Sequence, residues 1–140
     1  MTRSRESKPR NRCFACGEAN REGLRLRFTY DPLRVEAFCE VSIAAKYQGA
    51  TGYAHGGIIA TLLDEAMAKA NGMGGIRAMT ARLQISYRKA VPLQTKLKLS
   101  GRRIKKQGRK LYLRSELRSA ENVVLAEARG LFIELNPSKG

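Results

Sequence analysis

His55-Gly56-Gly57-Ile58-Ile59-Ala60-Thr61-Leu62-Leu63-Asp64-Glu65-Ala66-Met67-Ala68-Lys69-Ala70 carries the strongest helical pattern in the chain. At about 100° per residue, Ile58, Ile59, Leu62, Leu63, Ala66, Met67 and Ala70 cover one broad half of the circumference, a face made to be buried against a sheet. Two glycines follow the only histidine, so bare backbone N–H groups stand at the helix start, where the macrodipole favours developing negative charge. Gly72, Gly74 and Gly75 end the pattern, and a helix from about Gly56 to Asn71 is expected.

The two adjacent acids of this helix read differently. Gly57, Ala60, Asp64, Ala68 and Asn71 form a lane of mostly small residues beside the apolar face, where a ligand or another backbone can approach the Asp64 carboxylate. Glu65 falls on the opposite edge, four residues before Lys69, in the orientation of a surface ion pair worth only about 0.3–0.5 kcal/mol. A donor end and an acid on one helix point to acyl chemistry, with Asp64 as the chemical acid and Glu65 as a structural one. Asp64 lies nine residues beyond His55, roughly 13 Å along the axis, so one helix cannot bring both to one carbonyl. Antiparallel pairing with a second copy would set each Asp64 near the other's Gly56, and a dimer with shared sites is expected.

At 140 residues and 43% hydrophobic content the chain fits one domain with a sizeable core. No apolar run approaches the ~20 residues needed to cross a bilayer and the charged N-terminus has no apolar signal segment, so a cytoplasmic protein with no membrane partner is expected. The formal charge of +15 calls for an anionic partner or substrate. Arg3, Arg5, Lys8, Arg10 and Arg12 lie in a polar segment without periodicity, read as a disordered basic arm over 1–12. The folded domain is expected over 13–136, with a tail at 137–140. Arg102, Arg103, Lys105, Lys106, Arg109 and Lys110 cluster around Gly108 in an expected hairpin turn; they read equally as a phosphate-holding rim or as a solvated edge.

An odd count of three cysteines argues against a disulfide framework. Cys13-Phe14-Ala15-Cys16-Gly17 has the spacing of half a zinc knuckle, but structural zinc takes four ligands, and neither Cys39, in a strand, nor His55, in a loop, completes the set within one chain. No metal and no cofactor are expected.

Around the helix everything reads as strand. Leu24, Leu26, Phe28 and Tyr30 alternate with polar residues, and beyond Asp31-Pro32 the residues Val35, Ala37, Cys39, Val41 and Ile43 supply the next strand of a hairpin. The loop from Ala44 to Ala54 carries Tyr47 and Tyr53 into the helix. After it, Met79, Ala81, Leu83, Ile85 and Tyr87 share one expected face, with Thr80, Arg82, Gln84, Ser86 and Arg88 on the other. Lys96–Ile104 and Lys110–Arg118 form a hairpin, and Val123–Leu135 the last strand. The plan is α+β, an antiparallel sheet of five or six strands wrapped around one long central helix.

Tyr47-Gln48-Gly49-Ala50-Thr51-Gly52-Tyr53-Ala54-His55-Gly56-Gly57, followed by Leu62-Leu63-Asp64-Glu65-Ala66, resembles the hotdog-fold thioesterases, in particular acyl-CoA thioesterases related to the phenylacetate-pathway and human mitochondrial members. The run Cys13–Gly17, with Asn20 and Gly23-Leu24, is similar to the opening of one bacterial subgroup, and the resemblance spans about Cys13 to Leu135. It implies a sheet around a central helix, a homodimer often paired again into a tetramer, and active sites at the dimer interface. It further implies an acyl-CoA substrate, Asp64 as general base or nucleophile, the Gly56 N–H as donor to the thioester carbonyl, His55 orienting loop or substrate, and Thr80 holding the attacking water. Gly49 stands where several relatives carry Asn; Gln48 beside it is a candidate source of an amide. Gln48, Gly57, Arg88, Lys89 and Arg109 are the candidate substrate-binding residues, and Ile58, Met67, Tyr53 and Met73 the candidate walls of an acyl tunnel.

Two rival readings use the same residues. The fold could bind acyl-CoA without hydrolysing it, for which the Gly49 departure speaks. The charge also fits nucleic acid, but the arm is too short for a helix-turn-helix, and 6% aromatic residues with no Trp leave few stacking platforms.

Overall fold

The helical pattern folds as α1, Gly56–Met73, in the computed structural model, which describes residues 11–135. The arm over 1–12, apart from its last two residues, and the tail 137–140 lie outside the described residues. At 18 residues α1 is about 27 Å long. Its buried residues are Ile59, Leu62, Leu63, Ala66, Met67 and Ala70, the face that the periodicity picks out, with Ile58 half-buried at its margin. Asn71 joins them instead of lining the open lane: it is 2% exposed, and neither its amide nitrogen nor its oxygen meets a partner among the described residues.

Among the described residues six antiparallel strands wrap this rod: β1 (Thr29–Asp31), β2 (Glu36–Val41), β3 (Ala78–Tyr87), β4 (Leu97–Gln107), β5 (Lys110–Ser119) and β6 (Val124–Glu134). Their order across the sheet is β1-β2-β4-β5-β6-β3, so β3, the strand that follows the helix, closes one edge. Leu97, Leu99, Leu111, Leu113, Leu117 and Phe132 turn inward onto α1 and are almost wholly buried. Closest approach comes at Gly101 on β4, where a Cβ would stand 2.3 Å from the Ala66 carbonyl. A side chain there would push the helix off the sheet. No helix among the described residues is long and apolar enough to cross a membrane.

Two strand expectations need correction. The alternating run from Leu24 to Tyr30 pairs only over its last two residues and Asp31. Arg25 takes a left-handed φ of 53°, and the Leu24 and Leu26 N–H groups donate to Phe14 and Ala15 carbonyls instead, building a knuckle of residues 11–27 against the helix. The second correction lies in β3. A register shift between Thr80 and Arg82 marks a bulge, which reverses the alternation there. Met79, expected on the apolar face with Leu83, is therefore 61% exposed, while Thr80 turns toward α1.

Candidate functional site

His55 caps the helix through its side chain. Its Nδ1 accepts the Gly57 N–H at 2.8 Å, which fixes the ring as a tautomer protonated on Nε2 and pointing that donor outward. The Gly57 N–H is thereby spent. Ile58 N–H donates back to the His55 carbonyl, and Gly56 is left as the first-turn amide with no acceptor among the described residues. A donor backed by the helix dipole thus stands at the entrance to α1.

A cavity of about 360 Å³ opens beside it, lined by Tyr53, Ala54, Gly56, Ile59, Tyr87 and Val91 among others. Tyr87 is the residue that sequence reasoning missed. Its hydroxyl donates to the Gly56 carbonyl at 2.9 Å, tying the end of β3 to the helix start. Period-two alternation assigns Tyr87 an apolar face but carries no information on where its hydroxyl bonds. Of the expected tunnel walls only Tyr53 lines this cavity; Met67 is fully buried beneath Gly130, and Met73 lies at the far end of α1.

Asp64 sits eight residues along α1 from Gly56, about 12 Å away. Thr80 Oγ1 donates to its Oδ1 at 2.8 Å, a contact made possible by the β3 bulge. No cation of the described residues lies within 4 Å of the carboxylate, so its remaining lone pairs are available to a ligand or a water.

The expected substrate-binding residues separate. Arg88 and Lys89 both border the cavity at the helix start, Arg88 paired with Glu127 at 2.9 Å. Gln48 is exposed, and its Oε1 accepts the Gly52 N–H, stabilising the loop before the helix. At Gly49 a Cβ would stand 3.1 Å from His55 Cα, so the loop packs closely on the cap where a larger residue would need room. Arg109 is held elsewhere, its Nε on the Glu134 carbonyl in the β4–β5 turn. A separate cluster of positive charge lies on the sheet, where Arg82, Lys105, Lys110, Arg114 and Arg129 border a groove of about 600 Å³.

Glu65 is not the solvent-facing partner of Lys69 that its spacing predicts. The knuckle covers it, and Cys13 Sγ, Cys16 Sγ and a Glu65 carboxylate oxygen lie within 4.8 Å of one another. Burial raises Glu65 above the ordinary carboxylate range, against the lowering effects of Cys16 and Lys69. The Cys16 thiol is pushed up to about 11, first by burial and then by the facing Glu65 carboxylate. Cys39, buried in β2, is also raised to about 11 by burial, with a smaller contribution from Glu40.

Comparison with known proteins matches residues 51–126, from the loop before α1 into β6, to the thioesterase superfamily. Over 93 residues the chain is 41% identical to the acyl-coenzyme A thioesterase THEM4 of Bos taurus, a stretch that covers 66% of this chain and 38% of that protein. The chain therefore spans well under half the length of that relative. A thioesterase superfamily protein of known crystal structure superposes with a TM-score of 0.83 at 30% identity, covering 88% of this chain and 60% of the other. A Streptococcus mutans protein crystallised with acetyl CoA shares the fold at a TM-score of 0.73 and 20% identity, over 79% of this chain and 89% of its own.

Proposed function

This chain belongs to the thioesterase superfamily and has its hotdog fold, and from that premise we propose that it hydrolyses an acyl-CoA thioester to the free acid and CoA, at sites shared between two copies. The observation that carries the reading is the Asp64 carboxylate, bonded to Thr80, with no cation of the described residues within 4 Å, and set on the lane of small residues of α1. A thioester carbonyl lacks strong resonance, so a base and an oxyanion donor suffice to open it.

In the proposed reaction the thioester oxygen takes the Gly56 N–H, with the helix dipole behind it. Water held between Thr80 Oγ1 and the free Asp64 oxygen loses a proton to Asp64 as its oxygen attacks the carbonyl carbon. The tetrahedral oxyanion collapses, the C–S bond breaks, and the thiolate leaves and takes up the proton as CoA-SH. His55 Nε2–H is a second donor at the same mouth. Because Asp64 and Gly56 stand about 12 Å apart on one rod, a second copy has to supply one of them. The outer edge of β3, with Met79 and Tyr87 more than half exposed, supports a two-fold contact that would lay two helices antiparallel.

CoA is the favoured carrier because Lys89 and Arg88 border the helix-start cavity, where cations can meet its phosphates. The name of the Bos taurus relative and the acetyl CoA held by the Streptococcus mutans protein agree with this reading. A panel of acyl-CoA thioesters monitored by free-thiol release tests it: turnover of at least one member by the wild type, lost in Asp64→Asn, is the expected result. Binding of acyl-CoA without thiol release across the panel would instead make the protein a non-catalytic acyl-CoA binder.

A further inference from the structure

Glu65, one residue after the proposed catalytic acid, belongs to a different assembly. From the juxtaposition of Cys13 Sγ, Cys16 Sγ and the Glu65 carboxylate we propose that the knuckle and α1 together form a binding site for a thiophilic divalent cation of the zinc type. This site is independent of the acyl-CoA reading and its test does not depend on turnover.

Three observations support it. Ligand atoms of a tetrahedral zinc with thiolate and carboxylate donors stand about 3.5–3.8 Å from one another. The three groups here, all within 4.8 Å of one another, need to draw together by only about 1 Å to reach that spacing. The donor set is also chemically suited: two thiolates select a soft or borderline ion over calcium or magnesium, and one carboxylate is an ordinary third zinc ligand.

The second observation is that the loop is built before any ion arrives. Gly17 N–H donates to the Cys13 carbonyl at 2.8 Å, Ala19 N–H to Asn11, Leu24 N–H to Phe14 and Leu26 N–H to Ala15. A Cβ at Gly17 would fall 2.4 Å from Cys13 N, so the turn that presents both sulfurs closes only around glycine. Ala15 and Leu26 are buried and anchor this loop in the core. Preorganised ligands need little further ordering on binding.

The third concerns position. Cys16 also borders a groove of about 590 Å³ that runs past Glu18, Arg27 and Lys69, and Cys13 is exposed. Three protein ligands with one side open leave the fourth tetrahedral position to water. An ion bound there joins a loop distant in sequence to the middle of α1, on the side of the helix away from the Thr80 contact.

Cobalt(II) added to the 140-residue chain, purified under reducing conditions and stripped with chelator, tests the site. The expected result is one Co²⁺ per chain, with sulfur-to-cobalt charge-transfer absorption and the intense visible bands of a tetrahedral ion, displaced by an equal amount of Zn²⁺. Cys13→Ser, at an exposed position, should weaken the sulfur band and the affinity. Glu65→Gln should keep the charge-transfer band but lower affinity by at least the 10- to 100-fold that loss of a ligand's supporting residue alone costs. Thermal melts of both metal-free variants establish that they fold. No tetrahedral spectrum, half an ion per chain with the ion held between the cysteines of two copies, equal affinity in Glu65→Gln, or a Cys13–Cys16 disulfide in the reduced preparation would each overturn the proposal.

Discussion

Asp64 and Glu65 are neighbours on one helix, yet the fold gives them opposite surroundings. Asp64 faces the bulge of β3, where a single hydroxyl donates to it and solvent reaches the rest. Glu65, turned by about 100°, is covered by the N-terminal knuckle and faces two thiols. The helix supplies both carboxylates on equal terms. What lies over each of them separates the proposed roles: a strand edge gives one a single hydroxyl partner, while a packed loop sets the other against two thiols.

The largest test of this contrast is removal of the wet acid. Asp64→Asn keeps size and can still accept from Thr80, but it cannot take a proton from water. Loss of general-base catalysis is expected to lower kcat by about 10²- to 10⁴-fold with KM little changed. Free-thiol release with the best thioester of the panel checks this, and turnover near wild type would return Asp64 to the role of a solvated helix residue.

The next largest effect separates the middle of α1 from its start. Gly56→Pro removes the unspent N–H while suiting the first helical position, because His55 already holds φ −67° and ψ 138°, a conformation that proline accepts in the residue before it. The melting temperature should hold while kcat falls by about 10²- to 10³-fold, as it does when an oxyanion donor is lost. Co-expression of the two inactive chains then breaks or sharpens the idea of a shared site. If each site takes its acid from one copy and its amide from the other, a mixed dimer carries one intact site. Half of the dimers being mixed, about a quarter of wild-type activity should return. With both groups from one chain, none returns.

Much of this was legible in the sequence, and the failures have a common cause. The apolar stripe of α1 and the period-two runs of β4, β5 and β6 are local patterns, and local patterns survive folding. The facing of Thr80 was not legible, since the β3 bulge is fixed by pairing with Leu131 and Phe132 some fifty residues away. The same holds for Glu65: its i,i+4 spacing to Lys69 predicts an exposed pair, but the knuckle that covers it comes from residues 11–27. Spacing also exposed the incomplete zinc knuckle while giving no sign that its third ligand lies on the helix. His55 and Gly57 show the reverse case. Both were legible as a helix start, but which amide the imidazole would consume depended on a side-chain rotamer that no sequence pattern records.

A smaller effect sharpens the Asp64 side. Thr80→Val is close in shape and removes only the hydroxyl. A hydrogen bond to a charged group contributes about 1.5–3 kcal/mol, so kcat should drop roughly 10- to 100-fold, less than for Asp64→Asn. Thr80→Ser, which keeps the donor, should recover most of that loss. An equal deficit in Ser and Val would mean that the methyl group, packed beside the bulge, matters more than the bond.

The smallest expected effect concerns the cations at the helix start. Arg88 is already paired with Glu127, whereas Lys89 has no carboxylate within 4 Å among the described residues and is the better candidate for a CoA phosphate. An exposed charge acts over a screening length of about 10 Å at 0.1 M salt and about 3 Å at 1 M. KM for the CoA thioester should therefore rise a few-fold across that range, with kcat nearly constant. Lys89→Ala should raise KM at low salt and flatten the dependence. An undiminished salt response in Lys89→Ala would move the phosphate contact to the sheet, where Arg82, Arg114 and Arg129 line the broader groove, and would separate the nucleotide end of the substrate from the mouth of α1.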